Sequence, residues 1–584
     1  MRQNNPIGPC AHGMAGRWQR PAAALFAALA ASASAAQAEG WQTVLDPNAV
    51  SSGAADLRTS VPNTATGADV ATLIGANKFY AAGITGQNTI VANVEAGQIW
   101  NGHETLTHVT HFVANAAVLN SDGNPATPEY DLHATWVGMM IGGRNGGATQ
   151  LGIAPGTDLR SGAIATAWTG SAYSTGFNLS LQTVSTAYAA YFGGADVINS
   201  SWGDSNTAGS SNLAKITDGL ANQNRFTTFV TSAGNDGPSA NTVGSPGAAY
   251  NNITVAALQN NGANAYNTVA SFSSRGPSDY FFPGLGTVAG VRASVDIAAP
   301  GTDLRSAFYG GQSGGNNPSL PASAAIPGAN LYFSPLDGTS FAAPIVAGAA
   351  ALIDSASKND AVLSGNADSR DARVVKAVLL NSADKIAGWN NGQAVNGSGV
   401  ITTNQSLDYA SGAGALNMNK AYGQYIEAGT RDVAGLGGGT VKPVGWDYGQ
   451  LGTGQTNTYL IDGTLKAGST FTVTLDWFRE RLYDAQNFTA NDLGHADLDL
   501  VVHDVLADMD VAQSISFWND VEHLSFVLPN TSQYAINVIY GDNVYGSITT
   551  EQYGLAWSVV PSPAPLALLL AGAFGLRRRA NTSR

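Results

Sequence analysis

From residue 71 onward the chain alternates helix-like stretches with short runs of β-branched apolar residues, and this alternation limits its fold more than any other feature. The runs read "NTIVANV", "ADVINSSWG", "FTTFVTSAGN" and "NITVAAL". Strands separated by helical segments predict an α/β fold, a doubly wound and mostly parallel sheet with helices on both faces. In such sheets chemistry gathers beyond the carboxyl ends of the strands. Three runs end in polar and glycine residues: Glu95-Ala96-Gly97, Ser200-Ser201-Trp202-Gly203 and Ser232-Ala233-Gly234-Asn235. All three point to one edge of the sheet.

Helical sequence returns in "LDGTSFAAPIVAGAAALI" and "SRDARVVKAVLLNSADKI", and "GAGALNMNKAY" closes a first domain expected at 71–425. Beyond "AGLGGGTVKP" the texture changes to period-two alternation in "STFTVTLDWF", "ADLDLVVHDV", "SISFWND", "EHLSFVL" and "YAINVIY". Short alternating strands predict an antiparallel β-sandwich or jelly roll, expected at 432–557. Two domains suit the length, because 584 residues exceed what one core serves. The segment 39–70 is polar and small, and reads as a linker or short pro-segment. The Gly/Pro/Ser-rich stretch "YGGQSGGNNPSLPASAAIPGANLYFSP" predicts a long surface loop beside the cleft.

Charge and cysteine content exclude several partners. A net charge of −14 with 12% charged residues argues against nucleic acid, whose phosphates need a basic face. The one cysteine, Cys10, leaves no disulfide and no cysteine-ligated metal site. Arg17 and Arg20 precede "PAAALFAALAASASAAQA", which predicts a secretory signal, residues 1–38, cleaved after Ala38. At the other end, 559–584 runs from a proline cluster through an apolar stretch to Arg577, Arg578 and Arg579. Val559 to Leu576 barely reaches the length of a membrane span, and the arginines would hold the end in the cytoplasm. A plain terminal anchor is the alternative reading there.

Ser340 stands at the lip of a predicted helix, behind Gly338 and Thr339. Those residues suit a helix N-terminus, and they equally suit a nucleophile whose oxyanion is met by N–H groups at the helix start. Acyl transfer by a hydroxyl needs a base, an acid to orient it, and donors for the oxyanion. His133 in "DLHATWVGMMIGG", after the N-cap candidate Asp131, is the candidate base. Glu95 closes an apolar strand, where a carboxylate needs a partner to offset its desolvation. Asn235 closes another strand, and its amide suits the oxyanion. Taken singly, each has an ordinary explanation as a turn or cap residue.

Together they resemble the subtilisin-like serine peptidases (subtilases, the S8 family). The serine motif stands as Gly338-Thr339-Ser340-Phe341-Ala342-Ala343-Pro344-Ile345-Val346-Ala347-Gly348. Asn235 sits in the Ala-Gly-Asn setting, and Ser201-Trp202-Gly203 matches the substrate strand. "ASFSSRGP" (Ala270 to Pro277) and "DIAAPGTDLRSA" (Asp296 to Ala307) extend the match, which covers 70–425. The resemblance implies a secreted or cell-surface endopeptidase acting on proteins or peptides through an acyl-enzyme on Ser340. His133 would be the base, Glu95 its orienting acid and Asn235 the oxyanion donor. The substrate would lie along Ser201, Trp202 and Gly203 beside Ser232, Ala233 and Gly234, with bulky Trp202 narrowing or capping a subsite. No cofactor is required. Calcium is common in the family, and Asp497, Asp499, Asp504, Asp508 and Asp510 are the residues to test against a solvated strand face.

Two places depart from the family pattern. "VANVEAG" puts Glu95 where the family has aspartate, and His133-Ala134-Thr135-Trp136 replaces His-Gly-Thr-His. The two changes read as linked, a longer acid matched by a shifted histidine. The alternative is a catalytically inactive subtilase fold serving as a cell-surface binding or matrix protein. A Ser-Glu-Asp set, as in the serine–carboxyl peptidases, is disfavoured by His133. The C-terminal layout resembles the PEP-CTERM sorting tail of Gram-negative bacteria, which implies an exosortase-like partner and an envelope or extracellular destination. Its usual Pro-Glu-Pro is here Pro561-Ser562-Pro563-Ala564-Pro565.

Overall fold

The apolar runs become parallel strands that stop where the polar residues begin. A computed structural model describes residues 41–45, 69–115, 130–144, 152–168, 177–191, 194–307, 309, 332–433 and 435–561. The predicted signal 1–38, nearly all of the linker 39–70, residues 310–331 of the expected loop and the tail from 562 lie outside the described residues. In chain order the first sheet, of nine strands, includes β1 (Ile90–Glu95), β2 (His111–Asn115), β3 (Asp158–Ala163), β4 (Val197–Ser200), β5 (Thr228–Ser232) and β6 (Ile253–Asn260), with an antiparallel edge strand Tyr266–Val269 on β6. Strands β1 to β6 lie in the order β2-β3-β1-β4-β5-β6 and pair in parallel throughout, with Ile297–Pro300 adding a further parallel strand on β6. Every residue of β4 and β5 is buried, as strands covered on both faces require.

The helices that cover this sheet include α1 (Leu132–Gly142), α2 (Leu181–Tyr191), α3 (Asn212–Gln223) and α4 (Thr339–Asn359). Asp131 caps α1, accepting from the Ala134 N–H at 3.1 Å. α4 is 21 residues long and apolar enough to cross a membrane, yet 94% of its apolar window is buried inside the fold. It is the central core helix, packed on α1, β4, β5 and β6. Its small residues permit that approach: a Cβ on Gly348 would meet Ile153 at 2.6 Å. A helix that is apolar all round has to be enclosed in this way.

The second half is built from two mostly antiparallel sheets. One holds β7 (Val444–Gly452), β8 (Thr470–Trp477), β9 (Val521–Val527) and β10 (Thr550–Val560) in the order β7-β10-β8-β9. The other is centred on the paired long strands Thr489–Asp504 and Tyr534–Gly546. Trp446, Trp477 and Trp557 are fully buried. Two short strands from earlier in the chain, Ala394–Val395 and Ile401–Thr403, join the second sheet, and Ile401–Thr403 runs parallel to Met509–Ser514. The stretch "SISFWND" is a connection and not a strand: Met509–Ser514 ends at its first residue and β9 begins after Asp520. Glu522 accepts from the Ser516 N–H at 2.6 Å, which bends the chain back there.

Buried ions join the two halves into one compact unit from Gln42 onward. Arg481 pairs with Asp218 of α3 at 2.7 Å, and Arg479 and Arg481 share Asp492 at 3.0 and 2.8 Å. Lys376, on the helix Ala372–Asn381, lies 3.2 Å from both Asp296 and Asp476, so it bridges the parallel sheet and β8.

Candidate active site

Parallel pairing of β1 with β4 and of β4 with β5 sets their carboxyl ends side by side, and α4 begins above them. Glu95 is the last residue of β1 and is buried. Its Oε2 accepts from His133 Nδ1 at 2.9 Å. His133 is in the first turn of α1, which the Asp131 cap anchors. Binding at Nδ1 fixes the tautomer and leaves Nε2 as the basic nitrogen. The second carboxylate oxygen, Oε1, accepts from the Ser201 N–H at 2.7 Å. Glu95 therefore holds His133 with one oxygen and the first residue after β4 with the other.

Ser340 is the second residue of α4 and nearly buried. Its hydroxyl donates to the Ser201 carbonyl at 3.1 Å. Asn235 follows the sharp turn at Gly234, whose φ of +103° suits glycine and where a Cβ would meet Ser274 Oγ at 2.8 Å. The Asn235 Oδ1 accepts from the Thr339 N–H at 3.0 Å and from its hydroxyl at 2.9 Å. With its oxygen held on the start of α4, the amide presents its N–H₂ as donor. Ser201, Trp202, Gly203, Ser232, Ala233, Gly234, Asn235 and Ser340 all line one cleft of about 260 Å³.

The family model for the subtilase family matches residues 49–414 of this chain. The chain belongs to the subtilase family. Serine protease AprX of Bacillus subtilis is 35% identical over 183 residues, which are 30% of this chain and 34% of AprX. The match thus spans about a third of AprX. Subtilisin DY of Bacillus licheniformis is 31% identical over 285 residues, 48% of this chain and 82% of that protein. Among solved structures, the serine protease of Aeromonas sobria aligns over 86% of this chain and 93% of its own, at 15% identity and a TM-score of 0.44.

In this subtilase the charges at the site are set by burial and by each other. Burial raises the Glu95 pKa above its ordinary value, against the hydrogen bonds from His133 and Ser201. Burial disfavours the His133 imidazolium, but the Glu95 hydrogen bond and charge, with the charge of Asp131, outweigh it and raise the His133 pKa. Trp136 and Phe341 wall the imidazole, with ring centroids 6.3 and 6.2 Å from it. Trp136 is thus a neighbour of His133, at the position where the sequence departs from the family.

Trp202 lines the cleft with its indole anchored inward: it donates to the Val94 carbonyl at 2.8 Å and stacks near Tyr188. The sequence shows Thr339 in the serine motif but not its hold on Asn235, nor a buried chain of amides beneath the site. Asn199 donates to Asn93 Oδ1 at 3.1 Å and to Ser201 Oγ at 3.2 Å. The signal was present, since asparagine inside the apolar runs "TIVANVE" and "DVINSS" must find a partner.

The five aspartates weighed for calcium do not converge. Asp504 is taken by Ser532, by Asn530 and by the Ala507 N–H, and Asp510 by His503 at 2.9 Å. Burial pushes Asp497 up to about 7, with Asp499 and Asp542 adding repulsion, and pushes Asp499 up to about 6. Among the described residues no group of three or more His, Cys, Asp or Glu is placed to hold a metal ion.

Proposed function

We propose that this subtilase is a serine endopeptidase that hydrolyses peptide bonds through an acyl-enzyme on Ser340, with Glu95, His133 and Ser340 as its catalytic set. The observation that carries the reading is the Glu95–His133 bond at 2.9 Å, which aims a basic nitrogen away from the carboxylate. The Ser340 hydroxyl turns from the Ser201 carbonyl to Nε2 of His133 and gives up its proton as Oγ attacks the substrate carbonyl. The Asn235 amide and the Ser340 N–H stabilise the oxyanion. His133 then delivers the proton to the leaving amine, the C–N bond breaks, and water repeats the sequence to free the acid and restore Ser340. The extended substrate pairs along Ser201-Trp202-Gly203 as an added strand.

The test is casein hydrolysis by the purified chain and by Ser340→Ala. Cleavage by the parent alone supports the reading; cleavage by both assigns the nucleophile elsewhere, and cleavage by neither favours the binding-protein reading. The end segments carry a second proposal, export and an envelope or extracellular location with processing by an exosortase-like enzyme. Mass spectrometry of exported material should find a start near Glu39 and an end near Pro561. An intact Arg577–Arg579 end would favour a permanent anchor.

A further inference from the structure

We propose that the cleft beside Ser340 selects a lysine or arginine side chain on the residue whose carbonyl Ser340 attacks. The proposal rests on the peptidase reading and adds its substrate class. The cleft lies between the strand ends 201–204 and 232–236, where a side chain next to the attacked carbonyl would enter. Its walls are mostly glycine, serine and alanine, and the one large apolar ring near it, Trp202, is committed to Val94 and Tyr188. An apolar side chain would therefore bury little area against apolar surface, and burial is what would hold it.

Charge is what the cleft offers instead. Asp204 and Asp236 both line it, and no Lys, Arg or His does among the described residues. Asp204 is fastened in place: its N–H donates to the Ser245 carbonyl at 2.7 Å. Its Oδ1 accepts from the Ser245 N–H at 3.0 Å and from the Asn206 N–H at 2.8 Å. That double bridge brings Gly244 so close that a Cβ there would meet the Asp204 carbonyl at 1.7 Å. A carboxylate already ordered by backbone donors spends little entropy on binding a cation. The stems of lysine and arginine are thin enough to lie along glycine walls while the charged head meets the carboxylates. The chain's net charge of −14 draws cationic peptides in the same direction and repels acidic ones.

The experiment uses four peptides that differ only at this residue: Arg, Lys, Met and Glu. The Arg and Lys peptides should exceed the Met peptide in kcat/KM by about 2- to 10-fold, the scale of one or two exposed charge pairs, with the Glu peptide slowest. Asp204→Asn and Asp236→Asn should each lower the Arg-to-Met ratio, and so should added salt. Equal rates for Arg and Met, or a ratio that neither substitution moves, would overturn the proposal. The same peptides are titrated into Ser340→Ala by calorimetry, which needs no turnover. Tighter binding of the Arg peptide with no hydrolysis by the parent would sink the peptidase reading and keep the cleft's selectivity; equal affinities would sink the selectivity.

Discussion

Glu95→Gln separates a working triad from a vestige of one. Glutamine keeps the length and bulk of the side chain but has one acceptor where the carboxylate has two, and Glu95 uses both. One oxygen takes His133 Nδ1 at 2.9 Å and the other takes the Ser201 N–H at 2.7 Å. If the amide oxygen faces Ser201, the amide N–H₂ meets Nδ1 and forces the imidazole proton onto Nε2. If the amide flips, its N–H₂ opposes the Ser201 N–H, and a buried unmet donor costs about 1–3 kcal/mol. The first orientation is preferred, and it leaves His133 unable to accept the Ser340 proton. The expected loss is about 10⁴ in kcat. The pH profile supplies an independent readout. Neutral imidazole is the active form, so activity climbs as pH rises through the His133 pKa. Burial alone would lower that value, and the Glu95 carboxylate keeps it raised. Removing the carboxylate should move the acid limb to lower pH. Glu95→Asp withdraws the carboxylate by about 1 Å, too short to span both partners, and should cost about 10²-fold. The assay is kcat and KM for one peptide across the acid limb. A Glu95→Gln enzyme at full rate, an unmoved limb, or a Glu95→Asp enzyme as fast as the parent would refute this reasoning.

Asn235→Ala should lose about 10²–10³ in kcat, the size found for one oxyanion donor in subtilisin, a member of this family; a loss under about tenfold would remove it from the oxyanion site. Lys376→Met leaves buried Asp296, Asp476 and Asp520 without their shared cation and should cost about 3–5 kcal/mol of stability above neutral pH. Burial holds Asp476 well above the carboxylate range and pushes Asp520 up to about 7. Asp520 therefore favours the folded state in acid, and that contribution is lost as pH rises through about 7. The deficit of Lys376→Met in denaturant unfolding should therefore be small in acid and grow above pH 7, and a deficit independent of pH would refute the assignment.

The parallel sheet was legible because β-branched runs such as "NTIVANV" admit few other readings, and Glu95, Ser201 and Asn235 stand where those runs stop. The reach of Glu95 to a second partner was not legible, since it depends on β4 lying beside β1 in register. The anchoring of Trp202 was not legible, since the Val94 carbonyl that receives its N–H belongs to a neighbouring strand. "SISFWND" alternates like a strand, but its backbone and side chains bond to Glu522, Thr403 and Ala293 and not to a ladder partner along its length. The strands Ala394–Val395 and Ile401–Thr403 are too short to show a period: Ile401–Thr403 pairs along Met509–Ser514, and Ala394–Val395 pairs with Ile401–Thr403. Arg479 and Arg481 are buried against the first half of the chain, which no local pattern in the sequence signals.

Labelling with a serine-directed fluorophosphonate, followed by mapping of the modified residue, tests the central claim most directly. Ser340 reacts only if His133 draws off its proton and Glu95 holds that histidine in place. The account predicts a single adduct on Ser340, lost in His133→Ala and strongly slowed in Glu95→Gln, with each variant folded by circular dichroism. An adduct on another serine, or labelling of Ser340 at the parent rate without His133, would contradict it.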